Sequence, residues 1–330
     1  MDNFLQTIKF LDKKKEIDNS YIKYNEEIIN EDIIFLINKK IINSDNLYCI
    51  SFSREYNYLK IKDEQFKIPI IKCLDSNNIF INKSKNEDLS YLFKDLDMYE
   101  YFQCESRDFT KIKERENNFK IDDERRYNLL KKLVKDKYWL DFGCGYGSLF
   151  FSLKDTYKKC VGLDIMESCI NELQNHGIKM IRDINELEDN SLDIITATQV
   201  VELLSSQIDF YNMCYKKLKK GGKLLIETNN SMDALLYLYK SKGFENFLTY
   251  TRRFIGNNES YKVLLEECNF KNIQISNDHT YSLANHLGWL STKLPGNDIE
   301  IFNNNEINEI YKKILCKNNL GDKLIIICDK

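Results

Sequence analysis

The sequence predicts an α/β chain. A doubly wound, mainly parallel sheet is expected over residues 116–330, preceded by a smaller α+β region over residues 1–115. Three observations carry this. From Tyr138 onward, short apolar runs alternate with helix-length segments, the pattern of βαβ units. A glycine turn, Gly143-Cys144-Gly145-Tyr146-Gly147, joins the first apolar run to a helix-like segment. Before that point the period is different, with an early helical stretch and then two-residue alternation that suits a hairpin.

Composition limits the function classes. The chain has 330 residues, a formal net charge of −3, 43% hydrophobic and 30% charged residues, values of an ordinary globular protein rather than a basic nucleic-acid binder. With 2 prolines and 12 glycines it is not collagen-like or a Pro/Gly-rich disordered chain. The 10 cysteines form no CxxC pair, and the three histidines (His176, His279, His286) have no metal-protease spacing, so no metal is expected. Asp2 stands where a signal peptide would be basic, and no apolar stretch reaches ~18 residues, so no membrane span is expected. A cytoplasmic location follows as an expectation, with the cysteines acting as small hydrophobic fillers.

The elements follow in order. Residues 24–41 place Ile28, Ile29, Ile33, Leu36 and Ile37 at helical spacing. Leu59 and Ile61, then Phe66, Ile68 and Ile70, alternate on either side of Asp63-Glu64, predicting a hairpin in which Pro69 suits an edge strand. Residues 78–82 read as a short strand, and Asp122–Val134 as a charge-rich helix. Strands are expected at Tyr138–Phe142, Cys160–Leu163, Lys179–Ile181, Leu192–Ala197, Lys223–Glu227, Ile273–Ile275 and Lys323–Cys328. Helices are expected at Gly147–Lys154, Met166–His176, Gln207–Leu218 and Glu259–Cys268. Gly221-Gly222 read as the cap that stops the helix ending at Leu218.

The run Leu140-Asp141-Phe142-Gly143-Cys144-Gly145-Tyr146-Gly147 is the strongest motif. Glycines there allow a tight turn and close approach of the backbone to a ligand at the carboxyl ends of the strands. Ser148 stands where a dinucleotide fingerprint has its third glycine, and Asp141 suits a cationic amino group better than a pyrophosphate. Asp164 closes the next strand, where an acid can accept both ribose hydroxyls. It does not by itself separate the two ligand classes.

Together with Arg182-Asp183-Ile184, the run Ser191–Leu203 and the run Lys217–Asn230, these segments resemble the class I S-adenosylmethionine-dependent methyltransferases over roughly residues 120–277. Leu203 replaces the histidine usual in the family. The resemblance implies a Rossmann-like sheet with an antiparallel last strand. It also implies S-adenosylmethionine as cofactor, held by Asp141, Gly143, Cys144, Gly145, Gly147, Asp164, Ile165, Asp183, Ile184 and Gln199. Thr198-Gln199-Val200-Val201 is not the motif of DNA amino-methyltransferases, so nucleic acid is not expected as a partner.

A second stretch, Tyr281-Ser282-Leu283-Ala284-Asn285-His286-Leu287-Gly288-Trp289-Leu290 followed by Lys293–Gly296, resembles a segment of methyltransferases from bacterial surface-polysaccharide and modified-sugar clusters. It lies in a 278–322 insertion between the last two strands. The resemblance implies O-methylation of a sugar or nucleotide-sugar in polysaccharide biosynthesis, with Tyr281, Asn285 and Trp289 toward the substrate. A hydroxyl acceptor gains from a base, and His286, then His279, are the candidate catalytic residues, with a packing role as the alternative for each. Arg107, Arg125 and Arg126 are either carboxylate clamps or solvated helix residues. N- or C-methylation of a quinone or amino-sugar, a catalytically silent partner subunit, and a nicotinamide enzyme stay open as alternatives. A homodimer is a possible assembly.

Overall fold

The computed structural model describes residues 21–52, 69–83, 120–249, 252–293 and 298–330. It begins with β1 (Ile22–Lys23) and helix α1 (Glu31–Asn38), then β2 (Leu47–Phe52), β3 (Pro69–Cys73) and β4 (Ile79–Ile81). Helix α1 starts late in its predicted window because Asn30 caps it, accepting from Ile33 N at 3.1 Å. β2 and β3 pair antiparallel, and Pro69 is the first residue of β3, opposite Phe52. Proline is therefore tolerated there as a strand opener rather than on a sheet edge. The predicted turn at Asp63-Glu64, with Leu59, Ile61, Phe66 and Ile68, lies outside the described residues, as does Arg107.

The second part runs through α2 (Lys120–Leu130), β5 (Tyr138–Phe142), α3 (Ser148–Ser152), β6 (Lys159–Leu163), α4 (Glu167–Asn175), β7 (Met180–Ile181), β8 (Leu192–Thr198), α5 (Gln207–Lys217) and β9 (Leu218–Asn229). It continues with α6 (Ala234–Tyr237), α7 (Lys242–Thr249), β10 (Phe254–Ile255), α8 (Asn258–Glu267), β11 (Lys271–Asp278), α9 (Leu283–Thr292), α10 (Asn305–Lys317) and β12 (Lys323–Asp329). Seven strands form one sheet in the order β11-β12-β9-β8-β5-β6-β7. The pairs β9–β8, β8–β5, β5–β6 and β6–β7 are parallel, and β12 is antiparallel to both β9 and β11. This is the Rossmann-like methyltransferase arrangement, with the last strand reversed.

Burial on both faces explains the apolar strands. Leu140, Val161, Ile195, Leu224 and Ile226 are fully buried on one side with Phe210 and Tyr211, and Trp139, Ile194 and Leu225 on the other with Phe150 and Leu173. Each such side chain contributes roughly 1.5–3 kcal/mol by leaving water.

Two expectations change. Gly221 and Gly222 do not cap α5. The helix passes straight into β9, and the glycines form an irregularity there, between the pairings Leu192–Leu218 and Ile194–Lys223. Gly221 has φ +75° and donates to Lys330 O at 3.1 Å, and a Cβ on Gly222 would meet Lys219 O at 2.9 Å. The early strands also do not close a sheet by themselves. β10, from beyond β9, pairs antiparallel with β4 and completes the order β1-β2-β3-β4-β10. Buried Asp32 of α1 accepts from Gln207 N at 2.6 Å and Ser206 Oγ at 3.0 Å, joining the first region to the start of α5. No helix among the described residues is long and apolar enough to cross a membrane.

Candidate functional site

The glycine turn sits where β5 and β6 end side by side, with Phe142 opposite Leu163. Gly143 N and Cys144 N both donate to Leu163 O, at 2.7 and 3.2 Å. Gly143, Gly145 and Gly147 have φ of +71°, +52° and +69°, which L side chains rarely adopt. A Cβ on Gly143 would lie 2.7 Å from Val200 Cγ2, and one on Gly147 2.6 Å from Leu173 Cδ2. Asp164 fastens the turn, accepting from Gly145 N at 2.8 Å and Met166 N at 2.9 Å through different oxygens. Each oxygen keeps a further lone pair for a ligand hydroxyl.

Asp141 is 2% exposed beneath this turn. Its Oδ1 accepts from Thr196 Oγ1 at 2.6 Å, and that hydroxyl accepts from Trp139 Nε1 at 2.7 Å. Burial pushes the Asp141 carboxyl up to about 7, against the Thr196 hydrogen bond and Arg126, with Asp164 adding to the rise. Asp183 follows β7 with an exposed carboxylate whose Oδ1 accepts from Asn185 N at 2.8 Å, while Ile184 is buried and Ile165 is 48% exposed. Cys144 is half-buried, its Sγ set toward Gly145 O at 3.7 Å. Gln199, just past β8, has φ +56° and a buried Nε2 with no hydrogen-bond partner among the described residues.

These groups fit S-adenosylmethionine. A buried acid that ionises at a small cost suits its ammonium group. A strand-end carboxylate suits its ribose diol, and the glycines leave backbone where a side chain would block approach. An orphaned buried amide donor at Gln199 is a group that a bound ligand would satisfy.

Above β8 and β9 the same edge carries polar groups that the motifs did not single out. Glu202 is fully buried, with Oε2 accepting from Thr228 Oγ1 at 2.9 Å and Oε1 unpartnered. Burial raises its pKa, and Arg252 opposes the rise. Arg252 Nε donates to Asn229 Oδ1 at 2.5 Å, and Ser231 Oγ is buried without a partner. Arg125 and Arg126 of α2 are not solvated helix residues. Arg125 Nη2 and Arg126 Nη2 reach separate oxygens of Glu227, at 2.7 and 2.6 Å, and Arg125 also meets Asp122 and Asp278. An acid inside the apolar run Leu224-Leu225-Ile226-Glu227 was the available signal, since a central parallel strand holds a charge only if it is paired.

The structure gathers His279 and His286 in one buried cluster, at 1% and 0% exposure, with ring centroids 5.0 Å apart. His286 Nδ1 lies 2.8 Å from Tyr311 Oη of α10, which is 2.9 Å from Tyr239 Oη. His279 Nδ1 accepts from Asp322 N at 3.3 Å, and the Nε2 of each histidine is unpartnered. Burial and neighbouring His279 push the His286 pKa down to about 3. A side chain with no exposed surface and so low a pKa is not placed, in this conformation, to take a proton from an acceptor. Trp289 packs with Phe244, Ile50 and Ile70 and is 4% exposed, a core position rather than a substrate-facing one. Asn285 Nδ2 donates to Asp298 Oδ1 at 2.9 Å, and its Oδ1 is buried without a hydrogen-bond partner among the described residues. Tyr281 is 46% exposed, with Lys323 Nζ 5.5 Å from its ring centre.

Residues 114–275 match the family model described as "Methyltransferase domain". A Coxiella burnetii protein named "Ubiquinone biosynthesis O-methyltransferase" is 32% identical over 114 residues, covering 32% of this chain and 49% of that protein. A Mycolicibacterium smegmatis protein named a probable S-adenosylmethionine-dependent methyltransferase is 31% identical over 96 residues, 28% of this chain and 37% of that one. The chain thus spans about half or less of the length of these curated relatives. A crystal structure of a SAM-dependent methyltransferase from Archaeoglobus fulgidus superposes with a TM-score of 0.47 at 20% identity, over 68% of this chain and all of that one. With its glycine turn, its two strand-end acids and its reversed last strand, the part of the chain over residues 114–275 and the strand that closes its sheet is a class I S-adenosylmethionine-dependent methyltransferase domain.

Proposed function

We propose that the protein transfers a methyl group from S-adenosylmethionine to an oxygen of a small molecule. The observation that carries this is the glycine turn between Asp141 and Asp164, where no Cβ fits at Gly143 or Gly147. The cofactor supplies an electrophilic methyl on a sulfonium, so the protein's task is alignment and exclusion of water. Asp141 holds the ammonium end, Asp164 the ribose, and Asp183 with Ile184 the adenine. Gln199 Nε2 and Glu202 Oε1 are a donor and an acceptor without hydrogen-bond partners among the described residues, which suits a polar acceptor group at the end of β8.

A sugar or nucleotide-sugar hydroxyl is the acceptor class favoured by the Tyr281–Leu290 segment. That segment opens the β11–β12 connection on the same edge, and half-exposed Tyr281 offers an aromatic surface to a sugar ring. A second reading, a phenolic quinone precursor, is favoured by the name of the Coxiella relative. In either case His279 and His286 hold the connection over the edge. The test is product mass spectrometry with nucleotide-sugars and catechols as parallel panels, alongside calorimetry with S-adenosylhomocysteine. Transfer to one panel selects that acceptor class. Tight binding with no transfer to any acceptor would favour the silent-subunit alternative, and no binding would sink the proposal.

A further inference from the structure

Helix α10 buries one side and leaves an apolar stripe on another. Leu315 is 1% exposed, Tyr311 meets His286 and Tyr239, and Lys312 reaches Asp278 at 2.9 Å, so these residues define the side that faces the protein. Ile307, Ile310 and Ile314 are 39%, 54% and 38% exposed. They stand at i, i+3 and i+7, a continuous ridge on the flank of the helix. Just before the helix, Ile301 is 83% exposed and Phe302 39%. Single exposed apolar residues are common, but three isoleucines in one ridge on a helix flank is the pattern of a contact surface.

Charge selects the occupant. Beside the ridge, on the flank away from the protein, Glu306 lies in the first turn and Lys313 and Lys317 lie one and two turns past the centre. We propose that this ridge is the interface of a two-fold dimer in which α10 packs antiparallel against α10 of a second copy, centred on Ile310. Antiparallel pairing about Ile310 sets each Ile307 near the opposite Ile314. It brings like flanks together, so Glu306 of one copy falls beside the partner's Lys313, twice by symmetry. A two-fold interface must be self-complementary, and this acidic-then-basic helix is complementary to itself only when reversed. Parallel pairing would put the two Glu306/Lys313 flanks on opposite sides of the seam, where neither charge meets its complement.

The test is sedimentation equilibrium on the full chain at micromolar concentration. The parent is expected to dimerise, and Ile310→Glu to be monomeric with its thermal unfolding unchanged, since Ile310 is on the surface. Glu306→Lys alone should weaken the dimer about tenfold, as should Lys313→Glu alone, while the double reversal restores it. A monomeric parent, a dimer indifferent to Ile310→Glu, or a double reversal no better than its singles would each overturn the proposal.

Discussion

Thr196 Oγ1 donates to Asp141 Oδ1 at 2.6 Å, and its other contacts leave it little choice. Trp139 Nε1 can only donate, so at 2.7 Å it occupies the hydroxyl as an acceptor. The hydroxyl's one proton must then go to Asp141 Oδ1 or to Leu140 O, and the latter is 3.4 Å away. Oδ1 is therefore the bare oxygen of Asp141, and when the carboxyl is protonated the proton sits on Oδ2. A buried chain of Trp139, Thr196 and Asp141 thus orients the acid beneath the glycine turn.

Cofactor affinity should fall at low pH. Asp141 in the free protein has a pKa raised to about 7, chiefly by burial. An ammonium group beside it favours the ionised carboxylate, so its pKa in the complex is lower. Binding releases a proton where the free acid is protonated, and affinity is full above pH 7. Below that it declines, approaching tenfold per pH unit. Calorimetry of S-adenosylhomocysteine binding in two buffers of different ionisation heat, from pH 6 to 8.5, measures both the slope and the proton released. A flat profile would break the link between Asp141 and the ammonium group. Thr196→Val should move the midpoint to higher pH, and Thr196→Ser should restore it.

The same acid should cost stability when the cofactor is absent. Its folded pKa lies above the unfolded value, so the native state prefers it neutral. The parent gains nothing from it below about pH 4 and is progressively penalised as pH rises toward 7. Asp141→Asn removes the charge and keeps the shape. The ligand-free variant should be more stable than the parent at pH 8, with the difference shrinking at pH 5, while its cofactor affinity falls at least tenfold. Thermal unfolding at the two pH values gives the comparison. A variant less stable at pH 8 than at pH 5, relative to the parent, contradicts it.

The central strands of the main sheet, β5, β6, β8 and β9, were legible because their apolar runs are buried on both faces, and parallel strands read that way. The glycine turn and Asp164 were legible because their residue types answer a local backbone need. The Arg125–Glu227 and Arg126–Glu227 pairs join residues about a hundred positions apart, and no local period reveals such a contact. β10 was missed because two residues, Phe254 and Ile255, have no period, and they become a strand only beside β4. The histidines were read as candidate chemistry because sequence carries no burial. The fold encloses both, and enclosure decides what a histidine can do.

Glu227 should be among the costliest residues to neutralise. It is wholly buried, and its two oxygens take one arginine each. Glu227→Gln takes from Arg126, only 16% exposed, the carboxylate it pairs with, and leaves Arg125 with Asp122 and Asp278 alone. Removing one partner of such a cluster costs about 3–5 kcal/mol. Arg125→Met should cost less, because Arg126 still neutralises Glu227 and the methionine fills the space. Urea unfolding of the two variants tests the order. The loss should also weaken cofactor binding, since Gln199 N, just past β8, donates to the Glu227 carbonyl of β9 at 2.7 Å.

His286 should reveal itself as an acid-sensitive packing residue. Burial and His279 hold its pKa near 3, against 6.5 in the unfolded chain. The unfolded state takes up a proton that the native state refuses. The stability contributed by neutral His286 is therefore complete above about pH 6.5 and is lost as pH falls toward 3, with a slope approaching about 1.4 kcal/mol per pH unit. Carboxylates also titrate in this range, so the readout is the difference between the parent and His286→Gln. The variant should be less stable at pH 7, because Tyr311 loses its 2.8 Å partner, yet fall less steeply between pH 6.5 and 4.5. Tyr311→Phe should cost about 1 kcal/mol and leave the slope in place. A proton-accepting role at the acceptor predicts the reverse: His286→Gln would lose turnover at least a hundredfold while its unfolding matched the parent at both pH values.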